Sequence, residues 1–129
     1  MTFKLSRTSE RNLIGVHPDL VAVVREAIKI TDIDFKVIEG VRTIERQRKL
    51  VQAGASWTFN SRHLTGHAVD LAAIYDGQLS WDWPLYHILG DCVKTAAKNV
   101  SVPIEWGGDW ATDKKDGPHF QLPWKDYPV

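Results

Sequence analysis

A single tight turn constrains the fold more than any other feature of this sequence. The dipeptide Asp76-Gly77 is typical of two-residue hairpin turns, and it follows a run of residues that favour β-structure. That run, from about His67 to Ile74, predicts a short strand, after which the chain returns toward Trp81. Because a tight turn joins antiparallel neighbours, a sheet built around this hairpin contains antiparallel pairs.

Three segments with helical character surround the hairpin. Apolar residues recur at helical spacing from His17 to about Thr31 and from Trp83 to Val100, and Thr43 is a candidate N-cap for a helix reaching Ala53. Further strands are predicted at Phe35–Val41, at about Pro103–Trp106 and at His119–Leu122. The mixture predicts an α+β fold, with a small, largely antiparallel sheet packed with about three helices.

Size and charge limit the classes of protein to consider. The 129 residues, of which 43% are hydrophobic, suit a single domain over 1–129 that buries roughly two-thirds of its unfolded surface. Sixteen basic and sixteen acidic side chains cancel, so we expect no nucleic-acid partner. The N-terminus lacks the apolar segment of a secretory signal, and no run is long enough to span a membrane. We expect a monomer made soluble in the cytoplasm, without stable membrane insertion.

Two short segments contain most of the chemically reactive side chains. They run from Ser61 to Asp70 and from Asp116 to Phe120. A catalytic zinc ion needs three His or carboxylate ligands and one open position. His63 lies in a loop, Asp70 in the strand that follows it and His119 at the start of another strand, so these three are the candidate ligands. Taken alone, each of them is more often a structural residue than a metal ligand, so the interpretation rests on their combination.

Two further residues complete a hydrolytic site in this interpretation. Asp116 lies three residues before His119 across a Gly-Pro turn, where it could act as general acid and base without binding the metal. Arg42, at a strand-to-helix junction, could stabilise the developing oxyanion and bind substrate. An arginine in such a place is also often solvated or salt-bridged.

The roles of five other residues near these motifs are open. Ser61 could bind substrate or order its loop, and Trp106, like Trp110, could form a wall of the substrate cleft. Glu105 could orient a metal-binding histidine or form a salt bridge. His67 should point away from Asp70 if both lie on one strand. Packing is the expected role of the remaining tryptophans, which are Trp57, Trp81, Trp83 and Trp124.

The order of these motifs resembles a known family. Ser61 to Asp70, Glu105 to Gly108 and Asp116 to Phe120 are similar to the motifs of the peptidoglycan metallopeptidases of the D-Ala-D-Ala carboxypeptidase/VanX-like family. Within that family the chain most resembles the short phage endolysins that are L-alanyl-D-glutamate peptidases. The resemblance extends to Ser6–Leu20 and Gly40–Gln47, so it covers nearly the whole chain.

The resemblance implies specific roles and a specific reaction. His63, Asp70 and His119 match the zinc ligands, Asp116 the catalytic acid/base and Arg42 the arginine that binds substrate and stabilises the transition state. The implied function is hydrolysis of a peptidoglycan stem peptide, at the L-Ala–D-Glu bond, after a phage holin has permeabilised the membrane. The alternatives are a D,D- or L,D-carboxypeptidase or D,D-dipeptidase of the same family, and a non-catalytic wall-binding module with structural zinc.

Overall fold

The strand before the hairpin lies at the centre of the sheet. The computed structural model describes residues 2–56, 58 and 61–128, and its strands are β1 (Asp34–Glu39), β2 (Ala68–Tyr75), β3 (Gln78–Ser80), β4 (Glu105–Trp106) and β5 (His119–Gln121). The central strand, β2, pairs antiparallel with β1, β3 and β5, and β4 pairs antiparallel with β5. The predicted antiparallel α+β fold is therefore confirmed.

The α-helices found in the described residues include the three that the sequence predicted. They are α1 (Arg7–Asn12), α2 (Pro18–Ile30), α3 (Ile44–Gln52) and α4 (Trp83–Asn99). Thr43 is the N-cap of α3, since its side chain accepts from the Arg46 N–H. Buried apolar side chains of α2 and α4 form one core with the sheet.

The first helix was not predicted from the sequence. Its residues have no apolar periodicity, and it is stabilised by its Ser6 N-cap and by contacts with β1. The buried Ser9 hydroxyl accepts from the Val37 N–H at 2.9 Å, and the Asn12 amide donates to the Val37 carbonyl at 2.9 Å. Tertiary hydrogen bonds, rather than a buried apolar stripe, therefore hold α1 in place.

Strand alternation divides the central strands into a core face and an open face. Val69, Leu71 and Phe120 belong to the hydrophobic core, together with Trp106 of β4. Successive residues of a strand point to opposite faces, so the neighbours of these core residues share the other face. These neighbours are Asp70, Glu105, His119 and Gln121. The sheet thus gathers polar side chains from three strands on one surface.

The length of one strand and the character of the helices complete the description of the fold. The strand expected over Pro103–Trp106 is confined to Glu105–Trp106, because Pro103 has no N–H to donate to a ladder. Within the described residues, every helix is too short or too polar to cross a membrane.

Candidate metal centre

The three predicted ligands come together at one point on the open face of the sheet. His63 Nε2 lies 3.3 Å from Asp70 Oδ1, and His119 Nδ1 lies 3.4 Å from the same oxygen. One ligand atom from each residue falls within 4.8 Å of the others. Asp70 and His119 are direct cross-strand partners, which explains their proximity. This arrangement could hold a metal ion.

A short turn brings His63 to the strands. His63 belongs to a 3₁₀-helix, Arg62–Thr65, whose N-cap is Ser61. Gly66 follows with φ of 76°, a left-handed conformation that glycine adopts without strain. The His63 Nδ1–H donates to the Gly40 carbonyl at 2.8 Å, which leaves Nε2 to face Asp70. The turn therefore fixes the position of this histidine, and the Gly40 carbonyl fixes its tautomer.

Two buried atoms of the site have the properties of metal ligands. His63 Nε2 and Asp70 Oδ1 are buried, and neither makes a hydrogen bond within the part of the chain that the structure describes. Burial would raise the pKa of Asp70, but the adjacent His119 and His63 outweigh it and hold this pKa well below its usual range. Asp70 is thus kept anionic. A cation at this point would satisfy both atoms, so these residues fit a metal ion.

His119 is held from several directions. Burial would lower its pKa, but Asp70, Gln121 and Asp116 together raise it. Its Nε2 lies 2.7 Å from Gln121 Oε1, and the ring of Trp110 packs against it with centroids 4.9 Å apart. The ring is therefore immobilised, with Nδ1 toward Asp70.

Asp116 lies beside the three ligands and outside their group. Its N–H donates to the Gly107 carbonyl at 3.0 Å, and its own carbonyl accepts from the His119 N–H at 3.2 Å. Burial, and next the charge of Asp70, raise the pKa of the Asp116 carboxyl. A carboxyl whose pKa is raised holds a proton more readily than an ordinary aspartate, which suits a group that accepts a proton and returns it.

Arg42 reaches the site within a network of polar side chains. Its Nε and Nη2 donate to the Glu39 carboxylate at 2.8 and 2.7 Å, and its Nη1 donates to Gln47 Oε1 at 2.7 Å. Nη2 also lies 3.6 Å from Asp70 Oδ2, and only 8% of the Arg42 side chain is exposed. Arg42 is therefore salt-bridged as well as placed at the cleft.

These residues line a cleft with a volume of about 690 Å³. Ser61 borders it, although its hydroxyl also accepts from the His63 N–H at 3.2 Å and so orders the loop. Trp110, Lys114 and Trp124 border it as well. A cleft of this size can hold a short peptide.

Trp106, expected in the cleft wall, is instead buried behind it. Only 4% of this residue is exposed, its ring stacks on Phe120, and its Nε1–H donates to the Gly117 carbonyl at 2.7 Å. Strand alternation explains the difference, because Trp106 follows Glu105 and so points to the core. Trp110, which the sequence also placed in the cleft wall, does border the cleft. Of the tryptophans expected to pack, Trp81, Trp83 and Trp124 are exposed, and Trp57 lies outside the described residues.

His67 lies apart from the candidate ligands. Its Nδ1 is 2.7 Å from the Thr65 hydroxyl, and its ring faces those of His17 and Tyr127 at 5.4 and 6.4 Å. Burial, followed by the charges of Arg62 and His17, lowers its pKa. His67 therefore has a packing role in the structure.

Glu105 contributes to the site through a residue that the sequence analysis missed. Its carboxylate accepts from Gln121 Nε2 at 2.6 Å, and Gln121 in turn contacts His119. Gln121 could have been found from its spacing, two residues after His119 on the same strand. Glu39 was also missed, and only the tertiary contact with Arg42 reveals it.

Comparisons with known proteins identify the family of this chain. The family described as phage L-alanyl-D-glutamate peptidase matches residues 1–122. The L-alanyl-D-glutamate peptidase of Escherichia phage T5 is 30% identical over 114 residues, covering 85% of this chain and 83% of that protein. The enzyme of the same name from Listeria phage A118 is 38% identical over 95 residues, which are 74% of this chain and 32% of that longer protein.

A solved structure is similar over nearly its whole length. The L-Ala D-Glu endopeptidase ChiX of Serratia marcescens superposes with a TM-score of 0.91 at 50% identity, covering 98% of this chain and 95% of that one. The fold and these relatives define the chain as a peptidase. It belongs to the phage L-alanyl-D-glutamate peptidase family.

Proposed function

We propose that this chain is a zinc-dependent endopeptidase that hydrolyses the L-Ala–D-Glu bond of peptidoglycan stem peptides during phage lysis. The observation that carries the proposal is the convergence of His63, Asp70 and His119 in one cleft, with Asp116 beside them. The names of the relatives support the choice of bond.

The donor set favours zinc with a catalytic role. Two imidazole nitrogens and one carboxylate oxygen are typical of catalytic zinc sites, which keep an open position, whereas structural zinc sites are closed and usually contain cysteine. The single cysteine, Cys92, contacts Ala27 through its sulfur and is not part of this group. A bound zinc ion would lower the pKa of water toward about 7 and polarise the scissile carbonyl.

The protein's own residues supply the proton transfers and the orientation of substrate. Asp116 accepts a proton from the attacking water and returns it to the leaving amine. Arg42 contributes a fixed positive charge for the oxyanion, and its bonds to Glu39 and Gln47 hold the guanidinium in place. Ser61 and Trp110 border the cleft and are positioned to contact the stem peptide.

The identity of the new peptide ends tests the proposed bond. Purified peptidoglycan is digested with the full chain, and the products are identified by mass spectrometry. We expect a new N-terminal D-Glu on the released peptides and L-Ala left on the sugar side. Release of single terminal D-Ala residues would instead indicate a carboxypeptidase and would overturn the proposal.

Two variants separate metal binding from chemistry. His63→Ala should lose both zinc and lysis, because it removes one of the three ligands. Asp116→Ala should keep zinc and lose lysis. If Asp116→Ala still clears permeabilised cells at the wild-type rate, Asp116 is not the acid/base.

The cellular setting follows from the same proposal. The wall substrate lies beyond the inner membrane, so we expect the protein to act from the cytoplasmic side only after a holin has permeabilised that membrane. Added from outside, the protein should lyse Gram-negative cells only after outer-membrane permeabilisation, as measured by loss of turbidity.

A further inference from the structure

Each candidate histidine ligand has a second ring nitrogen that points away from Asp70, and the two residues differ in what this nitrogen contacts. The His63 Nδ1–H donates to a backbone carbonyl, that of Gly40, which can only accept a hydrogen bond. His119 Nε2 instead faces the side-chain amide of Gln121 at 2.7 Å. An amide offers an oxygen acceptor on one side and an NH₂ donor on the other, so by itself it does not determine where the imidazole proton lies.

Glu105 removes this ambiguity. It is the direct cross-strand partner of Gln121, and its carboxylate lies 2.6 Å from Gln121 Nε2. A carboxylate only accepts hydrogen bonds, so the Gln121 NH₂ must face Glu105 and the Gln121 oxygen must face His119. The His119 ring then carries its proton on Nε2 and presents the Nδ1 lone pair toward Asp70 and His63.

The contact with Gln121 disfavours the other neutral tautomer of His119, which carries its proton on Nδ1. Asp70 Oδ1 lies 3.4 Å from His119 Nδ1 and would attract a proton to that nitrogen. A ring protonated at Nδ1 has no lone pair for a metal there. Gln121 is 5% exposed and its contact with His119 is buried, so water does not readily replace this hydrogen bond.

We propose that Gln121, oriented by Glu105, is a positioning residue that holds His119 in the Nε2–H tautomer and thereby presents Nδ1 to the metal. The inference deepens the proposed function and rests on it. Partners of this kind typically change metal affinity by about 10- to 100-fold when they are removed. We expect removal of the Gln121 acceptor to lower zinc affinity within the same range.

The test uses the full-length protein and two measurements. Zinc affinity is measured by competition with a chromogenic chelator. The His119 tautomer is measured by ¹⁵N NMR of the imidazole rings in the zinc-free protein, at alkaline pH where the ring is neutral. Gln121→Met keeps the side-chain length but removes the acceptor, and Gln78→Met makes the same exchange on the exposed strand β3 as a control.

We expect Gln121→Met to lower zinc affinity about 10- to 100-fold and to shift His119 toward the Nδ1–H tautomer, while Gln78→Met changes neither. The double variant Glu105→Gln with Gln121→Glu reverses the amide and the carboxylate and retains both hydrogen bonds. It should therefore recover the wild-type affinity and tautomer. This recovery also decides the case in which Gln121→Met unfolds, as judged by circular dichroism.

Unchanged affinity and an unchanged tautomer in Gln121→Met would overturn the inference, and so would a double variant that folds but stays impaired. Failure of the proposed function has a different signature, because the wild-type protein would then bind no zinc or cut another bond. The tautomer measurement needs neither zinc nor substrate, so it tests the role of Gln121 in either case.

Discussion

Replacing Asp116 with Asn should separate the chemistry of the site from the stability of the fold. The substitution removes a proton acceptor while keeping nearly the same volume. The loop should retain its shape, because main-chain bonds to Gly107 and His119 hold it. Zinc content should also be unchanged, because Asp116 is outside the ligand group.

The expected loss of activity follows from the role of Asp116 as general acid and base. A positioned group of this kind contributes about 10²- to 10⁴-fold to the rate, or about 2.7 to 5.4 kcal/mol of activation free energy. Asp116→Asn should therefore lower kcat/KM for a stem peptide at least about a hundredfold. Product formation followed by liquid chromatography and mass spectrometry measures this loss.

Asp116→Asn should lower activity but should not lower the stability of the fold. Burial and Asp70 raise the pKa of Asp116 in the folded protein, so its ionised carboxylate destabilises the zinc-free fold at neutral pH. Asn removes that charge, and the free energy of unfolding at pH 7 should be no lower than that of the wild type. The difference should vanish below about pH 3.9, where the carboxyl is protonated in both the folded and the unfolded states.

Asp113→Asn is the matched control, since Asp113 is exposed in the same loop. It should leave both activity and stability near wild-type values. Wild-type cleavage by Asp116→Asn would refute the assignment of the base. Loss of zinc from that variant would show that Asp116 is a ligand.

Three further predictions concern the metal, the packing and the pH dependence. Chelation of the wild-type protein should abolish cleavage, zinc should restore it, and His63→Ala should not respond to added zinc in the same peptide assay. Gly40→Ala should lower the free energy of unfolding by about 1–3 kcal/mol, measured by urea denaturation, because the added Cβ would overlap the backbone oxygen of Asn12. Unchanged stability would contradict this close approach of Gly40 to Asn12. The hydrogen bond from the Tyr127 hydroxyl to Asp19 raises the pKa of Tyr127 to about 12. The hydrogen bond therefore stabilises the fold fully below the unfolded pKa of about 10, and this stabilisation is lost as the pH rises through about 12. Ultraviolet titration should show a late tyrosine ionisation that is missing in Tyr127→Phe.

Local pattern was sufficient for much of the fold. Apolar periodicity predicted α2 and α4 to within about one residue at each end, and Asp76-Gly77 marked the turn between β2 and β3. Helix α1 was missed because it has no apolar stripe and depends on hydrogen bonds to a strand 25 to 28 residues away in sequence.

The candidate site was also predictable from the sequence only in part. Residue type and order in the sequence were enough to propose His63, Asp70 and His119 as ligands, because few side chains bind metal and their motifs resemble a known family. The structure brings these three residues together. Whether they hold zinc stays a prediction for the variants above.

The sequence alone therefore determined the class of fold, the family resemblance and the candidate ligands, since each depends on local spacing or residue identity. Only the tertiary structure decided which side chains support those ligands. Gln121 and Glu105 meet because of the β4–β5 register, and Trp106 is buried because it lies one position along the same strand. Such contacts depend on which strands are neighbours and on which face each residue points to, and no local pattern specifies both.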